Sequence, residues 1–291
     1  PTEGAEAWWN EWLHIQIEQL AVHYWTARLE VMEALSRRIE PTVERHGTPL
    51  QRARFFEVRV QRNLRAERYL ASAETVRFAR DYQGASEASG DVDESAEAGC
   101  VLACVLLWHG ELEEAAARML ATVERARRTG DVTLEARGLT YLTQIHRRRR
   151  ALEATRDCAE RSLRAAEAGN MTSYAGAARA NLGWVALREG RPEDAERHCQ
   201  AALQLWGATS LIYPFEWMAL FPLVALELQS PRPLDAMRRV ERLLHSTQQR
   251  LPETLSAALQ EAQVAWGRSH EKATHERVER ALQEAERAGY L

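Results

Sequence analysis

The chain has 291 residues and a formal net charge of −4, and 47 Ala, 37 Arg, 35 Glu and 34 Leu make up more than half of it. All four are strong helix formers, whereas Ile, Val and Phe together supply only 26 residues, which excludes an extensive β-sheet. Lys272 is the sole lysine, so a P-loop, which must end in Gly-Lys, is excluded, and no desolvated lysine offers Schiff-base chemistry.

The remaining bulk features narrow the class further. Acids and bases are interspersed along every segment, as on helices with solvated faces, and no basic surplus points to nucleic acid. Cys100, Cys104, Cys158 and Cys199 read as small buried apolar side chains rather than a disulfide framework. No apolar run reaches about 18 residues, and Pro1 to Glu6 lacks the pattern of a signal peptide, so a cytoplasmic protein away from membranes is expected. A start at Pro1-Thr2-Glu3-Gly4, without Met, reads as part of a longer protein.

Taken in chain order, residues 1–47 form a long first helix and a short connector. The helix runs from about 5 to 38 and stops at Pro41. One apolar stripe reads Trp9, Leu13, Leu20, Tyr24, Val31, Leu35, and a second reads Trp8, Trp12, Ile15, Val22, Trp25, Leu29, Met32. A helix apolar on two sides is sandwiched. One side packs on the array that follows; the side with Trp8, Trp12 and Ile15 is a candidate interface for an upstream domain or a second copy.

Residues 48–291 read as one continuous array. Segments 49–68 and 73–89 form a helix pair, with Thr48-Pro49 and Ser72 as helix starts. The polar stretch 84–99 is the candidate for one long loop. A repeat of 40 residues follows: Leu102, Leu142 and Leu182; Gly110, Arg150 and Gly190; Ala115, Thr155 and Ala195. A fourth copy, one residue longer, carries Leu223, Pro231 and Ala236. Segments 252–267 and 269–288 make the last pair.

The unit from Asn181-Leu182-Gly183-Trp184 through Gly190-Arg191-Pro192 to Ala195 resembles a tetratricopeptide repeat. A small residue, Ala195, stands where two helices cross, and Pro192 opens the second helix, where its missing N–H is no loss. The copy at Leu142 departs from the pattern, with Arg150 for the turn glycine and Thr155 for the crossing alanine. The reading is an all-α, tetratricopeptide-like right-handed helical solenoid of about six helix pairs, preceded by the long first helix.

Short runs extend the resemblance across nearly the whole chain: Trp12-Leu13-His14-Ile15-Gln16, Gly47-Thr48-Pro49, Gly130-Asp131-Val132, Leu139-Thr140-Tyr141-Leu142, Tyr213-Pro214-Phe215 and Gly289-Tyr290-Leu291. With these it resembles the C-terminal repeat region of large bacterial signalling ATPases, including those led by an adenylate/guanylate cyclase domain. The resemblance implies a sensor or partner-binding arm. The residues of ATPase or cyclase chemistry have no counterpart here, so no enzyme activity and no cofactor are expected of this chain.

The candidate sites follow from register. Gln144 and Trp184 face the concave side, with Arg137 and Thr140 on the same side of their helix, and this wall suits an extended peptide. Arg147 to Arg150 form the one basic run; they either bond the unpaired carbonyls of their own helix end or take an acidic partner or a nucleotide phosphate. His270 and His275 are five apart, about 140° round a helix, which is wrong for the paired histidines of a zinc site, and no metal is expected. Three readings remain: a partner-binding module using Arg137, Thr140, Gln144, Arg147 and Trp184; a sensor arm for a small-molecule inducer; and a self-association domain using the tryptophan face.

Overall fold

Helical pairs account for almost all of the chain. The computed structural model describes residues 3–26, 28–209, 212–229 and 233–291, and among them are fourteen α-helices and no strand. Pro231, assigned above to the fourth repeat, lies outside the described residues. The chain falls into two compact units that divide at residues 118/119, within one helix.

The first unit holds α1 (Glu3–Trp25), α2 (Leu29–His46), α3 (Pro49–Ala66), α4 (Ala73–Ser89), α5 (Val92–His109) and the start of α6 (Leu112–Thr129). The single long first helix is corrected here. α1 ends at Trp25 and α2 begins at Leu29, with no Gly or Pro in the sequence between them, and Pro41 lies inside α2. Thr26 follows α1 with its hydroxyl on the carbonyls of Val22 and His23, at 2.9 and 3.3 Å. The two stripes hold within α1 but not beyond it: Val31 of the first is exposed, while Leu29 and Met32 of the second turn to the core. Leu13, Ile17 and Leu20 pack with Met32, Leu35, Ile39, Val43, Phe55 and Val58 in one core. The other stripe faces outward, with Trp8 56%, Ile15 52% and Val22 59% exposed and Trp12 half-buried.

The starts of α3 and α4 follow their caps. Thr48 and Gln51 close a reciprocal capping box, and the Ser72 hydroxyl accepts from the Thr75 N–H. The long loop expected in 84–99 is absent. Gly90 ends α4 in the left-handed region (φ +73°), and Asp91 accepts from the N–H groups of Asp93 and Glu94 to start α5 at once.

The second unit continues with α7 (Val132–Arg148), α8 (Leu152–Ala168), α9 (Thr172–Arg188), α10 (Pro192–Gly207), α11 (Trp217–Leu228), α12 (Pro233–Leu244), α13 (Glu253–Gly267) and α14 (Glu271–Arg287). The 40-residue repeat becomes the pairs α7/α8 and α9/α10, with α7, α9 and α11 side by side as one wall. A Cβ on Gly183 would stand 2.4 Å from Cys199 Sγ and 3.1 Å from the Ala195 carbonyl, so α9 and α10 cross closely because both crossing residues are small. In the departing copy the same places hold Thr143 and Thr155. Both are buried, and each hydroxyl bonds back to its own helix, to Leu139 O (2.7 Å) and Ala151 O (2.8 Å).

Candidate functional site

The wall residues expected from register are inside the second unit, not on an open groove. Thr140, Gln144, Arg147 and Trp184 are all fully buried or nearly so, and Arg137 is half-buried, about 15 Å along α7 from Arg147. Thr140 turns toward α8, with its hydroxyl 2.9 Å from that of Ser162, and so belongs to the contact within its own pair. Register alone assigned it to the wall because its angular position is near that of Gln144; the serine opposite decides otherwise.

Arg147 is the centre of what the fold brings together. Its guanidinium donates to Asn181 Oδ1 on α9 (3.3 Å), to the Met218 carbonyl on α11 (2.9 Å) and to the Tyr290 carbonyl (2.7 Å). It lies between the indole faces of Trp184 and Trp217, 5.4 and 5.0 Å from their centroids. No carboxylate pairs with it among the described residues. Carbonyl oxygens and aromatic faces therefore supply the negative end that a buried cation requires. Burial pushes its proton affinity down, to about 9, which leaves it charged at neutral pH.

The Met218 carbonyl is available for a reason written in the sequence. Position 222 of α11 is Pro222, which has no N–H to give to the carbonyl four residues back. That carbonyl is Met218, buried and otherwise orphaned, and Arg147 satisfies it. Pro222 was not singled out by sequence reasoning, although it was the available signal.

The segment after α14 lies on the same wall. Tyr290 is buried, with its ring edge-on to Trp217 (4.7 Å) and Phe221 (6.1 Å) and under the guanidinium of Arg148 (5.5 Å). Gly289 makes the turn in the left-handed region (φ +77°), and a Cβ there would stand 2.9 Å from the Arg148 carbonyl. Arg150 donates to the Glu286 carbonyl (2.6 Å), and Arg188 pairs with the Glu286 carboxylate (2.9 Å). Arg147 and Arg150 of the basic run thus bond carbonyls of α11 and of residues 286–290. Arg150 itself sits in the left-handed region (φ +58°), the place filled by Gly110 and Gly190 in the neighbouring copies. Three buried donors on the wall have no partner among the described residues: Gln144 Nε2, Arg147 Nε and Trp184 Nε1.

Further along, Tyr213-Pro214-Phe215 is fixed ahead of α11 by two glutamines. Gln248 Nε2 donates to the Tyr213 carbonyl (3.1 Å), and the Gln249 N–H donates to that of Pro214 (2.7 Å). Gln249 Oε1 accepts from the Trp217 indole (2.7 Å), which sets the ring beside Arg147. His275, considered above for metal, lies 3.4 Å from Glu279, and no cluster of metal-ligating residues occurs among the described residues.

Comparison with solved structures places this arrangement among helical repeat proteins. A signal transduction ATPase with numerous domains from Pyrococcus horikoshii, which carries a tetratricopeptide repeat sensor, matches 79% of this chain with a TM-score of 0.57 and 14% identity. The match covers 35% of that protein, so the chain spans about a third of its length. The apo form of RapI matches 95% of this chain and 98% of its own length, with a TM-score of 0.65 and 10% identity. No family model and no curated protein matches the chain. At these identities the likeness is one of fold, and the fold is an all-α, tetratricopeptide-like solenoid.

Proposed function

We propose that the chain is a non-catalytic protein-interaction and sensing module of a larger cytoplasmic bacterial signalling regulator, an ATPase or nucleotide cyclase, and that it takes a partner segment on the wall of α7, α9 and α11. The observation that carries this reading is the segment 288–291. A stretch of chain already lies on that wall, held by Arg147 through a backbone carbonyl and by aromatic faces around Tyr290. This is how an extended peptide is gripped: backbone oxygens give affinity and one aromatic anchor gives specificity. Gln144 Nε2 and Trp184 Nε1 are further donors for an incoming backbone. A partner must displace 288–291, and Arg147, Gln144 and Trp184 then carry the contact, with Arg137 at its border. The sensor role of the repeats in the Pyrococcus ATPase supports the reading.

A labelled peptide of residues 286–291 tests it by fluorescence anisotropy. It should bind the Tyr290→Ala chain, bind the unaltered chain far more weakly, and lose binding when Trp184→Ala is added. If Tyr290→Ala binds the peptide no better than the unaltered chain, the wall is not a peptide site.

One observation favours a second reading, self-association through α1. Trp8, Ile15 and Val22 are exposed at seven-residue spacing, the pattern of a helix packed on another helix. Light scattering on the chain and on its Trp8→Ala/Trp12→Ala variant decides: a monomer in both cases sinks the idea.

A further inference from the structure

The opposite end of α14 borders a cavity that the partner wall does not use. It measures about 350 Å³ and lies between the last turn of α11, the first turn of α12, the end of α13 and the first two turns of α14. Leu228, Met237, Trp266 and Val278 give it an apolar floor. This volume and lining are those of a small-molecule site, where an apolar body is buried and a few polar groups fix orientation.

The rim supplies the polar groups. Glu227 is buried, and both its oxygens lie within 2.7 and 2.8 Å of Arg239 Nε, so its charge is answered. His275 faces Glu279. α14 begins at the rim, and no side chain caps it, so its positive end is open there. Glu271, in the first turn, offsets that helix end. Lys272 then remains as an exposed cation with no ion pair among the described residues.

We propose that this cavity binds a small apolar molecule carrying a single anionic group, with the apolar body on Leu228, Met237, Trp266 and Val278 and the anionic head on Lys272. The proposal is independent of the peptide reading of the wall, and its test leaves the wall intact.

Because Lys272 is the sole lysine, amine acylation followed by mass spectrometry reports on this rim alone among side chains. Octanoate, octanol and octylammonium serve as probes in calorimetric titrations of the full chain. Octanoate should bind and slow acylation of Lys272, and octylammonium should do neither. Lys272→Gln, at an exposed position, should weaken octanoate roughly fivefold and leave octanol unchanged, as expected for an exposed ion pair. Leu228→Trp, which fills the floor, should abolish binding of both. Absence of octanoate binding, equal binding of octanoate and octylammonium, or unaltered acylation of Lys272 each overturns the proposal.

Discussion

Arg147 has no anionic partner among the described residues, yet it is wholly enclosed, and the reason is a shortage of donors elsewhere. Pro222 leaves the Met218 carbonyl unpaired, the turn at Gly289 presents the Tyr290 carbonyl, and one planar fork reaches both while lying between two indoles. Replacing it with Leu strands two buried carbonyls, and a loss of about 3 kcal/mol is expected in urea unfolding. Lys, a point charge on a flexible stem, should not rescue it. The role of Pro222 gives a sharper check. In a Pro222→Ala background the helix regains its own donor to Met218, so Arg147→Leu should cost about 1 kcal/mol less than in the unaltered chain. Strict additivity of the two changes would show that the missing N–H is not what Arg147 serves.

At the scale of elements, the crossing of α9 and α10 depends on what is missing at position 183. With a Cβ 2.4 Å from Cys199 Sγ, Gly183→Ala must push α10 away or turn the thiol. A loss of about 1–3 kcal/mol is expected, as in other overpacked cores, against the slight gain that alanine gives in an open helix. Thermal unfolding of Gly183→Ala beside Gly207→Ala, where nothing lies within 4 Å, separates the two effects. Equal midpoints would mean that the close approach costs nothing. This crossing was legible in the sequence, because the turn and crossing positions recur every 40 residues, and the caps Thr48 and Ser72 are local signals. The break between Trp25 and Leu29 was not, since no Gly or Pro marks it in the sequence. Nor was the interior position of the wall. Arg147, which lies over Trp184, takes its shortest acceptor from Tyr290, 143 positions away, and only the indirect mark of Pro222 stands in the sequence.

At the scale of the whole molecule, the second unit should be sensitive to mild acid. Burial holds His146 below the usual histidine value of 6.5, helped by Arg149 and opposed by Asp157. Burial does the same to His198, with Arg197 and Arg179 beside it and Asp194 opposing. Below pH 6.5 the unfolded chain takes up protons that the folded one refuses, so stability is full above that pH and falls as pH drops toward the lowered folded values. Urea midpoints should therefore decline between about pH 7 and pH 5, and His146→Gln/His198→Gln should flatten the slope. An unchanged slope in the double variant would assign the loss to other groups. The lower limit keeps Glu114 out of the measurement, since its bonds to Arg80 and Arg118 hold it at about 2.

The bond between Arg147 and Tyr290 spans 143 positions, and that separation sets an order of events. At ordinary rates of synthesis, on the order of ten seconds pass between the appearance of one partner and the other. Throughout that interval α7, α9 and α11 can stack, but the cation among them lacks its shortest acceptor and Trp217 lacks its ring partner. The nascent second unit must then wait, with its wall open to water and to chaperones, until residues 286–291 arrive. During synthesis, closure of this wall therefore follows the appearance of α7, α9 and α11 and cannot precede that of Tyr290.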